Sequence, residues 1–317
     1  MILNITLLIV GFIVLIKGAD IFVDGASSVA GNFKLSKMLI GLTIVSFGTS
    51  APEFAVSVKS IISGNHDIVL GNVIGSNILN ILLILGVASL FHSLNVKSAT
   101  VRKELPITML ITILFTVLLS DSFINGGGVN SFTRSDGVVL VLFFTVFIYY
   151  LIRMMRNKQE DDETEDYLSM GKALIYTILG IIFIVVGSNL VVNSASFIAT
   201  AFNVSQKLIS LTIIALGTSL PELATSVQAT RKGEYDIAIG NVVGSNIFNI
   251  GLVVGLPISV FGGINQINFN FLDLFTLVIS TILLFLFALN DQKITKKEGI
   301  IFLIIFIIYY SNVLVLG

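Results

Sequence analysis

Two stretches, FGTSAPEF at 47–54 and LGTSLPEL at 216–223, each set a proline beside a glutamate inside a long apolar run. The chain around them is 55% hydrophobic and 12% charged over 317 residues, with a mean hydropathy of +0.99. So much apolar surface has no place in water. Apolar runs of roughly 17 to 25 residues recur along the chain, the length a helical span of a bilayer requires. The expected class is an all-α polytopic membrane protein. In that setting Pro52 removes a donor and frees the carbonyl of Gly48, and Pro221 that of Gly217. An unpaired carbonyl in hydrocarbon costs several kcal/mol, so such a break persists only where it faces protein, water or a cation. A carboxylate at the break is itself expensive, about 2.5–3.5 kcal/mol on insertion scales, and marks an ion path.

Polar breaks near residues 31–37, 63–67, 91–103, 121–136, 153–172, 201–207, 231–236, 262–270 and 290–298 divide the chain into ten predicted spans. Odd-numbered loops carry Lys34, Lys37, Lys97, Arg102, Lys103, Arg153, Arg156, Lys158, Lys172, Arg231, Lys232, Lys293, Lys296 and Lys297; even-numbered loops carry Arg134 and Lys207. By the positive-inside rule the odd loops are cytoplasmic and both termini extracellular, which places the protein in the cell membrane. The opening MILNITLLIVGFIVLIKGAD lacks a basic leader and a small-residue cleavage signal, so it is expected to be a retained first span. The mixed-charge stretch 153–172 is expected to be a cytoplasmic linker between halves 1–152 and 173–317. The absence of cysteine excludes disulfides and thiolate chemistry, and a net charge of −1 without a basic patch gives no indication of a nucleic-acid partner.

The two motifs belong to a duplication. Residue i matches i+169 without a gap from Gly18/Gly187 to Gly86/Gly255, and 25 of 45 positions are identical between 42 and 86. The match runs through GNVIGSNILNI at 71–81 against GNVVGSNIFNI at 240–250. Five spans per copy make the second copy enter from the opposite side, so ten transmembrane helices in two inverted five-helix repeats are expected. Inverted repeats around interrupted helices are a transporter architecture, with the site at the midplane.

Helical spacing puts Ser46, Thr49, Ser50, Glu53 and Ser57 on one face, and Asn72, Ser76 and Asn80 on another, with Asn77 beside it. Asn241, Ser245, Asn249 and Asn246 repeat the second pattern. These are oxygen donors, and His66 and His92 fall at loop edges, which disfavours soft transition metals. Ca²⁺ takes about 6 to 8 oxygens in flexible geometry, and Na⁺ accepts the same donors in smaller groups; Mg²⁺ demands a stricter octahedron. For any single Asn or Ser, plain interhelical hydrogen bonding is an equal explanation. Glu53 and Glu222 have no cationic residue within a turn; Lys59, six residues on, is expected to snorkel to the outer surface. Asp20, three residues after Lys17, suits a structural ion pair on its own helix at least as well as a cation entry role.

GTSAPE followed by GNVIGSNILN, and GTSLPE followed by GNVVGSNIFN, resemble the paired alpha repeats of the cation/calcium exchanger superfamily, specifically its prokaryotic Na⁺/Ca²⁺ exchanger branch. The resemblance extends over essentially the whole chain. It implies a secondary antiporter, not an enzyme, with transported Ca²⁺ and Na⁺ and no cofactor. It implies Ca²⁺ between Glu53 and Glu222, helped by Thr49, Thr218, Ser50 and Ser219, the backbone oxygens of Ser46 and Ala215, and Ser76, Asn80, Ser245 and Asn249. Several Na⁺ are expected to replace one Ca²⁺, with the first and sixth spans, which hold Gly18 and Gly187, moving against the core. Where relatives that include K⁺-dependent exchangers carry Asp, this chain has Asn249, which argues against K⁺ co-transport; the GNxxE setting of the H⁺/Ca²⁺ branch is absent. H⁺-driven exchange and a passive cation channel remain the alternatives, and an intramembrane enzyme is the least supported reading.

Overall fold

The computed structural model describes residues 1–64, 66–124, 127, 130–156, 167–203, 215–264 and 271–316. Its main helices are α1 (Ile2–Phe33), α2 (Lys37–Thr49), α3 (Ala51–Ile62), α4 (Ile68–Phe91), α5 (Glu104–Leu118), α6 (Arg134–Arg156), α7 (Met170–Ala201), α8 (Ala215–Thr218), α9 (Leu220–Arg231), α10 (Tyr235–Phe261), α11 (Phe271–Leu289) and α12 (Lys296–Leu316). Among the described residues seven helices are long and apolar enough to cross a bilayer, and α2 with α3, bent by 46°, makes up to eight. The count falls short of ten for two reasons. Helix α5 has 15 residues and so spans about 22 Å of an approximately 30 Å hydrocarbon layer. Residues 204–214, which include Lys207 and fall in the expected sixth loop and seventh span, lie outside the described residues, as do 157–166 of the expected linker.

Helix α10 is 94% buried over its most apolar stretch and α4 72%, against 17% for α12. Helices α4 and α10 therefore form the centre, and α12 presents Ile307, Ile308 and Val315 outward, as a lipid-facing helix does. One apolar cluster joins α4 and α10 to α5, α6, α11 and α12. A second joins α1 and α7, through Leu15, Phe22, Val29 and Ile184, to Ile40, Ala229 and Ile237.

Helices α1 and α7 run antiparallel at very close range. A Cβ on Gly187 would stand 2.5 Å from the Leu15 backbone nitrogen, one on Gly180 2.6 Å from Phe22 Cα, and one on Gly25 2.5 Å from the Thr177 nitrogen. The spacing Gly11, Gly18, Gly25 returns in the second half as Gly180, Gly187 and Ser194. Small residues in register let two backbones touch, the main source of helix association where no hydrophobic drive exists.

The connections meet in two groups. The loop holding β1 (Leu94–Asn95) pairs antiparallel with β2 (Lys293–Ile294); Lys37 bridges Glu234 at 3.1 Å and Lys97 bridges Asp236 at 2.7 Å; Asn32 donates to the Leu168 carbonyl at 2.7 Å. All of these belong to odd-numbered loops. Phe132 and Ile264, from two even-numbered loops, bridge each other separately.

Candidate functional site

The chain between α2 and α3 leaves helical geometry at Ser50 (φ −83, ψ 4), and between α8 and α9 at Ser219 (φ −89, ψ 3). Each proline then lies in the first turn of the new helix, where its missing N–H costs nothing. Glu53 and Glu222 consequently sit in the first turns of α3 and α9, where the positive end of the helix dipole favours an anion. Both are 1% exposed. No ion pair among the described residues includes either.

Neither Glu53 oxygen has a hydrogen-bond partner among the described residues, nor does Glu222 Oε2. Glu222 Oε1 accepts from Ser50 Oγ at 3.0 Å. Thr218 stands beside Glu53, and Thr49 beside Glu222. The two helix breaks thus reach across to each other. Ser219 Oγ donates to Ser76 Oγ at 3.4 Å, tying the second break to α4, and Thr49 Oγ1 donates to Asn241 Oδ1 at 3.0 Å, tying the first to α10. Asn241 in turn donates to the Glu222 carbonyl (3.3 Å) and to Ser226 Oγ (2.9 Å).

Helices α4 and α10 cross through four asparagines. Asn77 Nδ2 donates to the Asn246 carbonyl at 3.2 Å and Asn246 Nδ2 to the Asn77 carbonyl at 3.4 Å. Asn80 Nδ2 donates to Asn246 Oδ1 at 2.9 Å, and Asn249 Nδ2 to Asn77 Oδ1 at 3.1 Å. Asn80 and Asn249 each open a π-helical stretch, Asn80–Leu85 and Asn249–Val254, a local widening common at functional positions. Asn80 Oδ1, Asn249 Oδ1 and Ser245 Oγ are buried without a partner among the described residues. With the three carboxylate oxygens they make a set of hard, unsatisfied acceptors.

The expected residues thus gather around the breaks and the crossing, with Ala215 opening α8. The carbonyls follow the expectation less closely. The Gly217 carbonyl accepts from Ser188 Oγ of α7 at 2.9 Å, and the matching position in α1 is Ala19. The Ser46 carbonyl accepts from the Ser50 N–H at 3.0 Å, and Thr49 Oγ1 lies 3.3 Å from it. Freed carbonyls in a packed interior find protein donors, which sequence spacing along one helix does not show. Asp20 also departs from expectation: its ion-pair partner is Lys232 at 2.7 Å, from beyond α9, and not Lys17. The wider roles of Asn241, Asn77 and Asn246 were missed as well. The place of Asn241 on the i, i+4 stripe and of Asn77 and Asn246 beside it, repeated in both halves, was the available signal.

Among the described residues no cluster of three or more His, Asp or Glu exists, so any cation here relies on two carboxylates and neutral oxygens. The sodium/calcium exchanger protein family matches residues 3–153 and 172–315. The chain belongs to this family. It is a multi-pass membrane protein of an exchanger family, not of an enzyme family. Relatives include sodium/calcium exchanger MaX1 of Methanosarcina acetivorans, 31% identical with 96% of this chain and 97% of the relative covered. Inner membrane protein YrbG of Escherichia coli is 38% identical, with 81% and 80% covered. The solved sodium-calcium exchanger NCX_Mj, soaked with Na⁺ and Ca²⁺, superposes with a TM-score of 0.84 at 34% identity, covering 98% of this chain and 99% of that one.

Proposed function

We propose that this exchanger-family chain is a Na⁺/Ca²⁺ antiporter working by alternating access, with Ca²⁺ bound between Glu53 and Glu222. The observation that carries the reading is the set of six buried oxygens, three of them from carboxylates, left without a partner among the described residues around the two helix breaks and the α4/α10 crossing. A cation supplies what these oxygens lack. The ligand set extends to Thr49, Thr218, Ser50, Ser219, Ser76, Ser245, Asn80 and Asn249, with carbonyls of Ser46 and Ala215. Two ionised glutamates offset one Ca²⁺. The empty site, with two unneutralised charges, is the costly one to carry across, so exchange is favoured over leak. If more than two Na⁺ replace one Ca²⁺, the cycle moves net charge.

The fold we propose is ten spans in two inverted five-helix repeats, 1–152 and 173–317, joined by the linker 153–172. Three observations support it. Helices α1 and α7, matched by the repeat, are antiparallel. Asn77 and Asn246, likewise matched, exchange equivalent hydrogen bonds, as a twofold axis requires. Odd loops meet odd loops, and even meet even. The cation-rich odd loops then face the cytoplasm, and both termini face outward from the cell membrane. The pair α1/α7, whose backbones pack against each other at close range, is the body proposed to slide past the site.

In proteoliposomes loaded with Na⁺, ⁴⁵Ca²⁺ uptake is expected, absent with choline inside. Uptake driven equally by a pH gradient without Na⁺ would replace Na⁺ by H⁺ as counter-ion. Flux that persists without any trans cation would make the protein a channel and overturn the proposal.

A further inference from the structure

An asparagine offered to a cation has a hidden defect: its oxygen and its NH₂ are nearly isosteric, and a half-turn about χ2 replaces a ligand with two N–H donors. Asn80 and Asn249 are each 1% exposed, so no water is at hand to make either orientation harmless. Something must hold the oxygens inward.

We propose that Asn77 and Asn246 are the positioning residues that do so. The inference rests on reading Asn80 and Asn249 as ligands of the transported ion. Its logic begins with the two groups in the crossing that cannot reverse. The backbone carbonyls of Asn246 and Asn77 can only accept, and each has a second lone pair for a side chain. Facing them, Asn77 and Asn246 can present only Nδ2, and they do, at 3.2 and 3.4 Å. That fixes where their own oxygens point. Asn246 Oδ1 lies against Asn80 and Asn77 Oδ1 against Asn249, and an acceptor there is met only by a donor. Asn80 Nδ2 and Asn249 Nδ2 occupy those places at 2.9 and 3.1 Å. Each outer amide is thereby turned so that Oδ1 faces away from the crossing, and both of those oxygens are buried without a partner among the described residues. The chain of constraint starts at main-chain carbonyls and ends at the ion site.

The wiring crosses between halves. Asn77, in the first copy, orients Asn249 in the second; Asn246 orients Asn80. The Oδ1 of Asn77 and that of Asn246 are each taken up by an amide of the other half, so each acts through the amide it holds. An aspartate in place of either outer asparagine presents oxygen to the ion whichever way it turns and, when protonated, can still donate to the Asn77 or Asn246 oxygen, so the orientation set by the positioning residue would no longer decide whether the ion meets an acceptor.

That difference supplies the test, a cycle of four full-length proteins in proteoliposomes: wild type, Asn77→Leu, Asn249→Asp and the double variant. Initial rates of Na⁺-driven ⁴⁵Ca²⁺ uptake are fitted for KM and maximal rate. Asn77→Leu is expected to raise the Ca²⁺ KM about tenfold, the scale of one misdirected buried polar group, while the maximal rate changes less than about threefold. In the Asn249→Asp background the same change is expected to move KM by less than about threefold. A KM for Asn77→Leu within about threefold of wild type, or an equal rise in both backgrounds, overturns the proposal. Should Asn77→Leu fail to give a monodisperse protein, the mirrored cycle of Asn246→Leu with Asn80→Asp reads the same coupling. If Asn249→Leu binds Ca²⁺ as wild type does, the ligand reading fails; if wild type shows no Na⁺-driven uptake, the antiporter reading fails. Both outcomes differ from loss of the coupling alone.

Discussion

Replacing Glu53 by Gln changes one atom and one charge, and it should stabilise the cation-free protein while abolishing its response to Ca²⁺. Both Glu53 oxygens are buried and unpartnered among the described residues. An intramembrane carboxylate carries a cost of about 2.5–3.5 kcal/mol, and a neutral amide avoids most of it, so about 2 kcal/mol returns to the empty protein. At about 100 times its Kd, Ca²⁺ adds about 2.7 kcal/mol to the wild type. At roughly 2 °C per kcal/mol for a chain of this size, the wild type should gain about 5 °C with Ca²⁺. The variant should start about 4 °C higher and gain less than about 1 °C. The chain has 7 Tyr but no Trp and no Cys, so unfolding in detergent is best followed by tyrosine fluorescence or by loss of the monodisperse peak on size exclusion, not by a thiol dye. A Glu53→Gln protein with the wild-type melting temperature and the wild-type Ca²⁺ shift would refute the reasoning. It would mean that the carboxylate is already neutral or is not a ligand.

Asn241→Leu removes three buried hydrogen bonds, to Thr49, the Glu222 carbonyl and Ser226, and should lower stability by about 2–4 kcal/mol in thermal unfolding. Gly217→Ala sets a Cβ 2.2 Å from Val192 Cγ2; a cost of about 1–3 kcal/mol is expected, with recovery in the Gly217→Ala, Val192→Ala double variant. Lys232→Ala breaks pairs with Asp20 (2.7 Å) and Asp24 (2.6 Å) that are partly exposed; each is worth up to about 1 kcal/mol, and the loss should shrink in high salt.

The sequence exposed the helix breaks because proline and glutamate are each improbable in hydrocarbon, and their recurrence at a spacing of 169 residues removes coincidence. The membrane class and the clustering of Glu53, Glu222, Thr49, Ser50, Asn80 and Asn249 were legible for the same reason: a polar group in an apolar run has few places to go. What was not legible depends on contacts between elements distant in sequence. Nothing near Asp20 shows that Lys232 will reach it, because the packing of α1 against α9 decides that. The use of the Gly217 carbonyl by Ser188 likewise depends on how α7 lies over the break. Amide orientation is further still from the sequence, since it follows from four side chains on two helices at once.

The same repeat that makes the site nearly symmetric also shows where the copies part. On the face of the odd loops, α1 is held to the end of α9 by Lys232 with Asp20 and Asp24, reinforced by Gln228 Nε2 donating to Asp20 at 3.1 Å. Moving each residue by 169 gives Ser63 for Lys232, Lys59 for Gln228, and Asn189 and Asn193 for the two aspartates. The corresponding contact on the opposite face would therefore lack opposite charges. Ser188 grips the Gly217 carbonyl, while Ala19 has no hydroxyl to offer Gly48. Under the alternating access proposed above, the two copies would swap conformations between end states, and identical copies would give end states of equal energy. Here the closure on the odd-loop face has ionic contacts that its counterpart lacks. On the proposal above, these few unmatched residues, and not the shared site, would bias which way the empty protein faces.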